Sequence, residues 1–458
     1  MAQALKGVYR PRTPQSTSFY QLVQDHGECL KNAYPDQYEQ QFGYYRPIIE
    51  KVFFRYLDCG ILRCGFARIR CDHCHSEYLL PFSCKTRTFC PSCHFSLRSM
   101  QALPKRSAVF SEWVCEEVLE PVTHRHYVFS IPKILRTYFR YNRRLLSGLS
   151  RCAYETVKEM MQAIIVDNTV TPGMIVAIQT FGSSDIHWHP HLHCLVTNGC
   201  FDKDGTFHPM DILLPSAIIE VFQHKVFRML LKEGLITEER VKMILSWRHF
   251  SLRSMQALPG FHVHNEGRVV ANDMEGRERL ARYLIRPPVS LERLTYDRKN
   301  QQVFYQGKTQ TYTYQPLDFL AYVSLHIPNK GEQIVRYYGW YSNKSRGLRK
   351  AVLALSEAKK DKPASPTISP APDDLTHYQK KCRSAWARLI RKIYEVDPLT
   401  CPQCQHTMRI IAFIDEDAII QKILKHLGLW ETRAPSPPPS WAYEKTIYAD
   451  EPAPSLSM

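Results

Sequence analysis

No stretch of this chain approaches the roughly 18 consecutive apolar residues of a membrane-spanning helix. The N-terminal MAQALKGVYRPRTPQ has no apolar core of signal-peptide length either. A reducing, cytoplasmic setting is therefore expected, and a membrane partner is excluded. A G-x-x-x-x-G-K-[ST] phosphate loop is also missing, so nothing in the sequence points to that class of nucleotide-driven motor. Acidic residues are scarce relative to basic ones: 44 Asp+Glu stand against 60 Lys+Arg, giving a formal charge of +16 and a pI near 9.2. Such a balance favours a polyanionic partner, above all nucleic acid, over a neutral or acidic one.

What is present is enough to fold. The chain has 458 residues with 44% hydrophobic content, beyond the usual size of a single core, so several domains are expected. Residues 16–57 read as short helices leading into a Cys/His-rich region, and 105–120 as a longer helix. HYVFSIP (126–132) reads as a buried strand, followed by one long amphipathic helix with a basic face over 133–165. MIVAIQTFG (174–182) and IHWHPHLHCLVTNG (186–199) form a predicted hairpin. MEGRERLARYLIRPP reads as a helix stopped by Pro287 and Pro288, QVFYQG and TQTYTYQ as a second hairpin, and DFLAYVSLHI as a further helix. With no regular βαβ rhythm, the expected class is α+β with antiparallel pairing. The domains predicted are 16–104, 105–354, a Pro/Ser/Lys-rich linker over 355–375, a small C-terminal unit over 376–431 and a disordered tail over 432–458. HFSLRSMQALP occurs at both 94–104 and 249–259 in dissimilar surroundings, which reads as a duplicated DNA segment rather than a solenoid repeat.

Of the 15 cysteines, four stand as Cys71-x-x-Cys74 and Cys90-x-x-Cys93, a spacing suited to one closed four-thiolate zinc site that folds a small domain. Cys59, Cys64, Cys84, His75 and His94 are spare donors. Cys401-x-x-Cys404 lacks a second such pair nearby, with His406 and His426 as its candidate companions.

The second concentration of ligands is DIHWHPHLHCLV, with histidines at 187, 189, 191 and 193. On a strand, residues two apart share a face, so His191 and His193 point together and offer half of a divalent-cation site with an open remainder. Pro190 disturbs the pleat, which leaves His187 peripheral. Gln179, placed opposite Trp188 by a turn at 182–185, is the third candidate ligand, with His189 as the alternative.

The stretch HPHLHCLVTNG resembles the signature of HUH endonucleases, which cut single-stranded DNA with a tyrosine and a bound divalent ion. SCKTRTFCPSC, RYLIRPP, RYYGWYSNKSRG and DPLTCPQCQHTMRIIAFI extend the likeness over most of the chain and resemble the rolling-circle transposases of the insertion sequence 91 family. The resemblance implies an HUH-type central antiparallel sheet flanked by helices, an N-terminal zinc-binding domain that recognises DNA, and a small C-terminal domain. It implies Mg²⁺ or Mn²⁺ at His191 and His193, and structural Zn²⁺ on the thiols. It also makes Tyr283 the nucleophile: RERLARYLIRPP matches a Tyr-x-x-x-Tyr pattern whose first tyrosine corresponds to Arg279 here, a single-tyrosine version.

In this reading Tyr283 nicks and rejoins DNA through a 5′-phosphotyrosine, acting on single-stranded element ends and target DNA at the nucleoid. Strand opening is left to a host helicase or to DNA already unpaired, and a second protomer could supply the twin tyrosine. Arg282, Arg286, Arg336, Lys344 and Arg346 are the candidate phosphate-binding cations, interleaved with aromatics that suit unpaired bases. The alternatives are a rolling-circle replication initiator with the same chemistry and an inactive, zinc-dependent DNA-binding derivative.

Overall fold

The computed structural model describes residues 13–84, 86, 89–91, 107–182, 184–210, 214–251, 260–284, 286–358 and 401–430. Thirteen strands lie within them: β1 (Phe66–Cys71), β2 (Glu77–Pro81), β3 (His124–Ser130), β4 (Gly173–Phe181), β5 (Trp188–Thr197), β6 (Gly199–Phe201), β7 (Phe207–Pro209), β8 (His262–Val269), β9 (Leu294–Asp297), β10 (Gln302–Gln306), β11 (Thr311–Tyr314), β12 (Val335–Gly339) and β13 (Met408–Ile414). The expected linker and tail, Cys93, and most of both HFSLRSMQALP copies fall outside the described residues.

The centre is a five-stranded sheet in the order β12-β4-β5-β3-β8, with every neighbouring pair antiparallel. Its class is α+β, as expected. β4 is buried along its whole length and β5 at every position but His189. Strands buried on both faces need apolar residues at odd and even positions alike, which is why GMIVAIQTF reads as a continuous run.

The two faces have different cores. On one, Val176, Ile178, Leu192, Cys194 and Phe129 join a large apolar cluster with Leu149 of the helix Leu145–Ile165 and Phe222 of the helix Pro215–Lys232. On the other, Ile175, Ala177 and Leu195 pack with Val114 of the helix Ser107–Glu117 and with Ala281 and Leu284 of the helix Met274–Leu284. This second, smaller core carries the candidate site.

The single helix expected over 133–165 is two helices, Arg136–Tyr141 and Leu145–Ile165. Asn142 leaves helical geometry at φ −120°, ψ 86°, and its side-chain oxygen accepts the Arg144 amide at 3.2 Å. That is the local competition with helix hydrogen bonding at which asparagine is effective.

The boundary expected at 104/105 is not a gap in packing. Phe19, Leu22, Phe53 and Tyr56 of the first helices belong to the same apolar cluster as the central sheet, at 0–1% exposure. Burial of such side chains is worth about 1.5–3 kcal/mol each. Polar contacts add to this: Tyr38 Oη donates to Asp318 at 2.8 Å, and Arg46 donates to the carbonyls of Ser324 and Ile327 at 2.6 and 2.7 Å. A separate small sheet, β13-β1-β2, brings the C-terminal segment onto the N-terminal one. The second predicted hairpin is present as β10 and β11, with β9 as a third strand.

Candidate active site

Antiparallel register sets the site's layout. Gln179 on β4 stands opposite His191 on β5, which stands opposite Ser130 on β3, itself opposite His262 on β8. The next row holds Ala177, His193, Val128 and His264, and the one beyond it includes Leu195, His126 and Gly267. Directly paired residues share a face, so these histidines look out on the same side of the sheet. The expected placement of Gln179 is corrected here: an irregularity between Gln179 and Phe181 gives Trp188 to Phe181 and puts Gln179 opposite His191 instead.

The histidine tautomers follow from their partners. His191 Nδ1 lies 2.8 Å from the His189 carbonyl, which can only accept, so Nδ1 carries the proton and Nε2 a lone pair. His191 Nε2 lies 3.0 Å from His193 Nε2, while His193 Nδ1 lies 3.0 Å from His126 Nε2. Burial lowers His191 and His126 to about 4, and burial together with His191 holds His193 well below its ordinary value. All three rings are neutral at pH 7, the form that binds a cation. With both Nε2 lone pairs committed to a cation, His193 would donate Nδ1–H to His126, the outer hydrogen bond that commonly orients a ligating imidazole.

Gln179 is 3% exposed and its amide is oriented without ambiguity. Nε2 donates to the carbonyls of Tyr283 at 3.2 Å and Leu284 at 3.4 Å, satisfying two otherwise orphaned groups at a helix end. Its Oε1 is buried with no hydrogen-bond partner, an oxygen donor left for something else. Two imidazole nitrogens and an amide oxygen are a chemically suitable set for a divalent cation.

The helix Met274–Leu284 delivers the tyrosine. Asp273 caps its start by accepting the Gly276 amide at 2.7 Å, and Ala281 and Leu284 bury its inner side. Tyr283 then stands edge-on to two of the histidines, with ring centroids 4.9 Å from His193 and 5.9 Å from His126. The Arg286 guanidinium lies 5.3 Å from the Tyr283 ring and 5.4 Å from Phe181. Beside them lies a small cleft lined by Gln179, Leu284, Arg286, Pro288 and Arg143.

The remaining expected residues are dispersed. His187 is peripheral, paired with Asp185 at 3.1 Å. His189, the alternative ligand, has its ring 5.0 Å from His191 and a buried, unpartnered Nε2. Arg346 lies on the histidine side, 5.3 Å from the rings of Trp113 and Tyr337, and Lys344 is exposed on the helix Asn343–Ala358. Arg336 pairs with Val176 and so faces the opposite side of the sheet, apart from the site. The Arg282 side chain lies outside the described residues. The sequence reading missed His126, His262 and His264, although the signal was there: His-x-His recurs in HRHYVF and HVHNEG, on the two strands beyond β5.

The thiols group differently from expectation. Cys71 and Cys74 converge with Cys401 and Cys404, their four sulfurs all within 4.8 Å of one another. Cys90, expected to complete that site, instead joins Cys59 and Cys84 beneath Phe19, Phe53 and Tyr56. The physical reason is strand pairing: β13 lies along β1 with Cys71 opposite Met408, carrying the C-terminal cysteines to the first pair.

Two family models match the chain: "Transposase zinc-binding domain" over residues 30–131 and "Putative transposase" over residues 173–348. Among curated proteins, the transposase for insertion sequence element IS801 of Pseudomonas savastanoi pv. phaseolicola is 25% identical over 387 residues, covering 79% of this chain and 80% of that protein. "Putative transposase y4qJ" of Sinorhizobium fredii (strain NBRC 101917 / NGR234) is 32% identical over 139 residues, 30% of this chain and 31% of that protein. No solved structure matches.

Proposed function

Because the chain belongs to the insertion sequence 91 family of transposases and carries their zinc-binding domain, we propose that it cuts and rejoins single-stranded DNA at element ends and in target DNA, with Tyr283 as nucleophile. The observation that carries this reading is the Tyr283 ring standing edge-on to His193 at 4.9 Å, on a helix whose end is held by Gln179.

The Tyr283 hydroxyl attacks the scissile phosphorus in line. A tyrosyl O–P bond forms as the P–O3′ bond breaks, the phenol gives up its proton, and the departing 3′-oxygen takes one up. The 5′-phosphate stays on Tyr283, and the freed strand ends in a 3′-hydroxyl. Rejoining runs in reverse: a 3′-hydroxyl attacks the phosphotyrosine and releases the phenol. The phosphodiester's free energy is kept in the covalent bond, so no nucleoside triphosphate is consumed.

A Mg²⁺ or Mn²⁺ ion held by His191, His193 and Gln179 would polarise a non-bridging oxygen of the phosphate. His126 fixes the orientation of His193. Arg286, packed on the tyrosine ring, is placed to meet phosphate charge, and Arg346 with Trp113 and Tyr337 offers a cation-aromatic platform for unpaired bases. With one tyrosine, the two cleavages of a transposition cycle occur in sequence or share a second protomer, and strand opening comes from outside the chain.

The test is a denaturation-resistant protein–DNA adduct formed on labelled single-stranded element ends with Mn²⁺. Wild type forms it and Tyr283→Phe does not. Undiminished adduct in that variant would overturn the assignment.

A further inference from the structure

We propose that Cys71, Cys74, Cys401 and Cys404 bind one zinc ion that fastens the C-terminal segment of the chain to its N-terminal domain. The paired sulfurs, Cys71 with Cys404 and Cys74 with Cys401, are 3.5 and 3.4 Å apart, although the residues are separated by 333 and 327 positions. A tetrahedral four-thiolate site with Zn–S near 2.3 Å has S···S edges of about 3.8 Å, close to this spacing. Disulfides require S–S of about 2.05 Å, well inside it, and none of the four cysteines is disulfide-bonded.

The local backbone is that of two matching metal knuckles. In the first, the His75 amide donates to the Cys71 carbonyl at 3.0 Å and the Cys71 amide to the Ser76 carbonyl at 2.8 Å. In the second, the Gln405 amide donates to the Cys401 carbonyl at 2.9 Å and the Cys401 amide to the His406 carbonyl at 2.8 Å. His75 and Gln405 occupy the same left-handed position, at φ 60° and 61°. Non-glycine residues adopt that conformation uncommonly, and here two do so at equivalent places.

The strands leading from the knuckles complete the unit. β1 and β13 pair from Phe66–Ile414 to Cys71–Met408, and Ile420 and Leu424 of the helix Asp417–His426 bury against Phe66. Among the described residues the buried apolar clusters here are small, a handful of side chains each, so the metal contributes much of what holds residues 401–430 in place. A closed four-thiolate site has no open position, and its role is mechanical.

The test uses full-length protein. Zinc per chain, measured by plasma mass spectrometry, falls by one equivalent in Cys401→Ser/Cys404→Ser relative to wild type. Unchanged zinc content overturns the proposal. Thiol alkylation of wild type decides independently of how the variant folds. Zinc-loaded protein protects all four cysteines, and a chelator exposes the four together. Reactive Cys401 and Cys404 alongside protected Cys71 and Cys74 in the zinc-loaded protein would contradict the shared site.

Discussion

The thiol clasp and the histidine-tyrosine site are both assembled from distant parts of the chain, yet they are built on opposite principles. At the clasp, two nearly identical knuckles close on one point with four like donors and leave nothing vacant. At the histidine face, the donors of the proposed cation site are unlike one another: two neutral imidazole nitrogens and one amide oxygen, with a small cleft, a tyrosine and a guanidinium on the remaining side. Symmetric closure suits holding, and incomplete closure suits reacting. The same elements could not do both, because a ligand set that accepts substrate must leave coordination positions open.

That contrast can be broken by substitution, and the largest effect belongs to the reacting site. His193→Ala removes a ligand of the proposed cation and the partner of His126. Adduct formation is expected to drop on the order of 10²-fold or more, with zinc content unchanged. A His193→Ala protein that lost zinc and kept its rate of adduct formation would dissolve the distinction between the two sites.

Gln179 sharpens it next. Gln179→Glu keeps an oxygen donor but cannot donate to the Tyr283 and Leu284 carbonyls. Cleavage should fall about 10–100-fold, the range typical of lost outer-shell support. Divalent-ion affinity should fall less than in Gln179→Ala, measured by Mn²⁺ titration of adduct yield. Equal affinity in the two variants would remove Gln179 from the ligand set.

A smaller effect concerns the frame. Burial lowers His124 to about 4 and His326 to about 3, against about 6.5 when unfolded. The depressed folded values mean that the unfolded chain binds more protons between these limits. Stability is therefore present in full above about pH 6.5 and declines as pH falls towards 4. Urea midpoints should fall across that window, and flat midpoints would contradict neutral burial. The smallest effect is expected at Arg346→Gln, which should weaken single-stranded DNA binding and reduce its salt slope by about one, leaving the midpoint unchanged.

Much of the candidate site's layout was legible because strands repeat every two residues. His191 and His193 announced a shared face, and the prolines after RERLARYLI announced the end of the helix that carries Tyr283. Gln179 was identified with the wrong neighbour, since an irregularity just beyond it shifts the register, which spacing along the chain does not encode. His126 was equally visible as half of His-x-His but sits on a strand whose place beside β5 only the assembled sheet reveals. The thiols show the limit most clearly. Proximity along the chain favoured Cys90, whereas β13 pairing with β1 brings in Cys401 and Cys404 from more than 300 positions away.

The most direct test of the account is to locate the covalent bond. After reaction with single-stranded element DNA, nuclease trimming and tryptic digestion, the peptide 283–293, YLIRPPVSLER, should carry a nucleotide through the phenolic oxygen of Tyr283. Attachment to any other residue, or none on a protein that has cleaved its DNA, would contradict it.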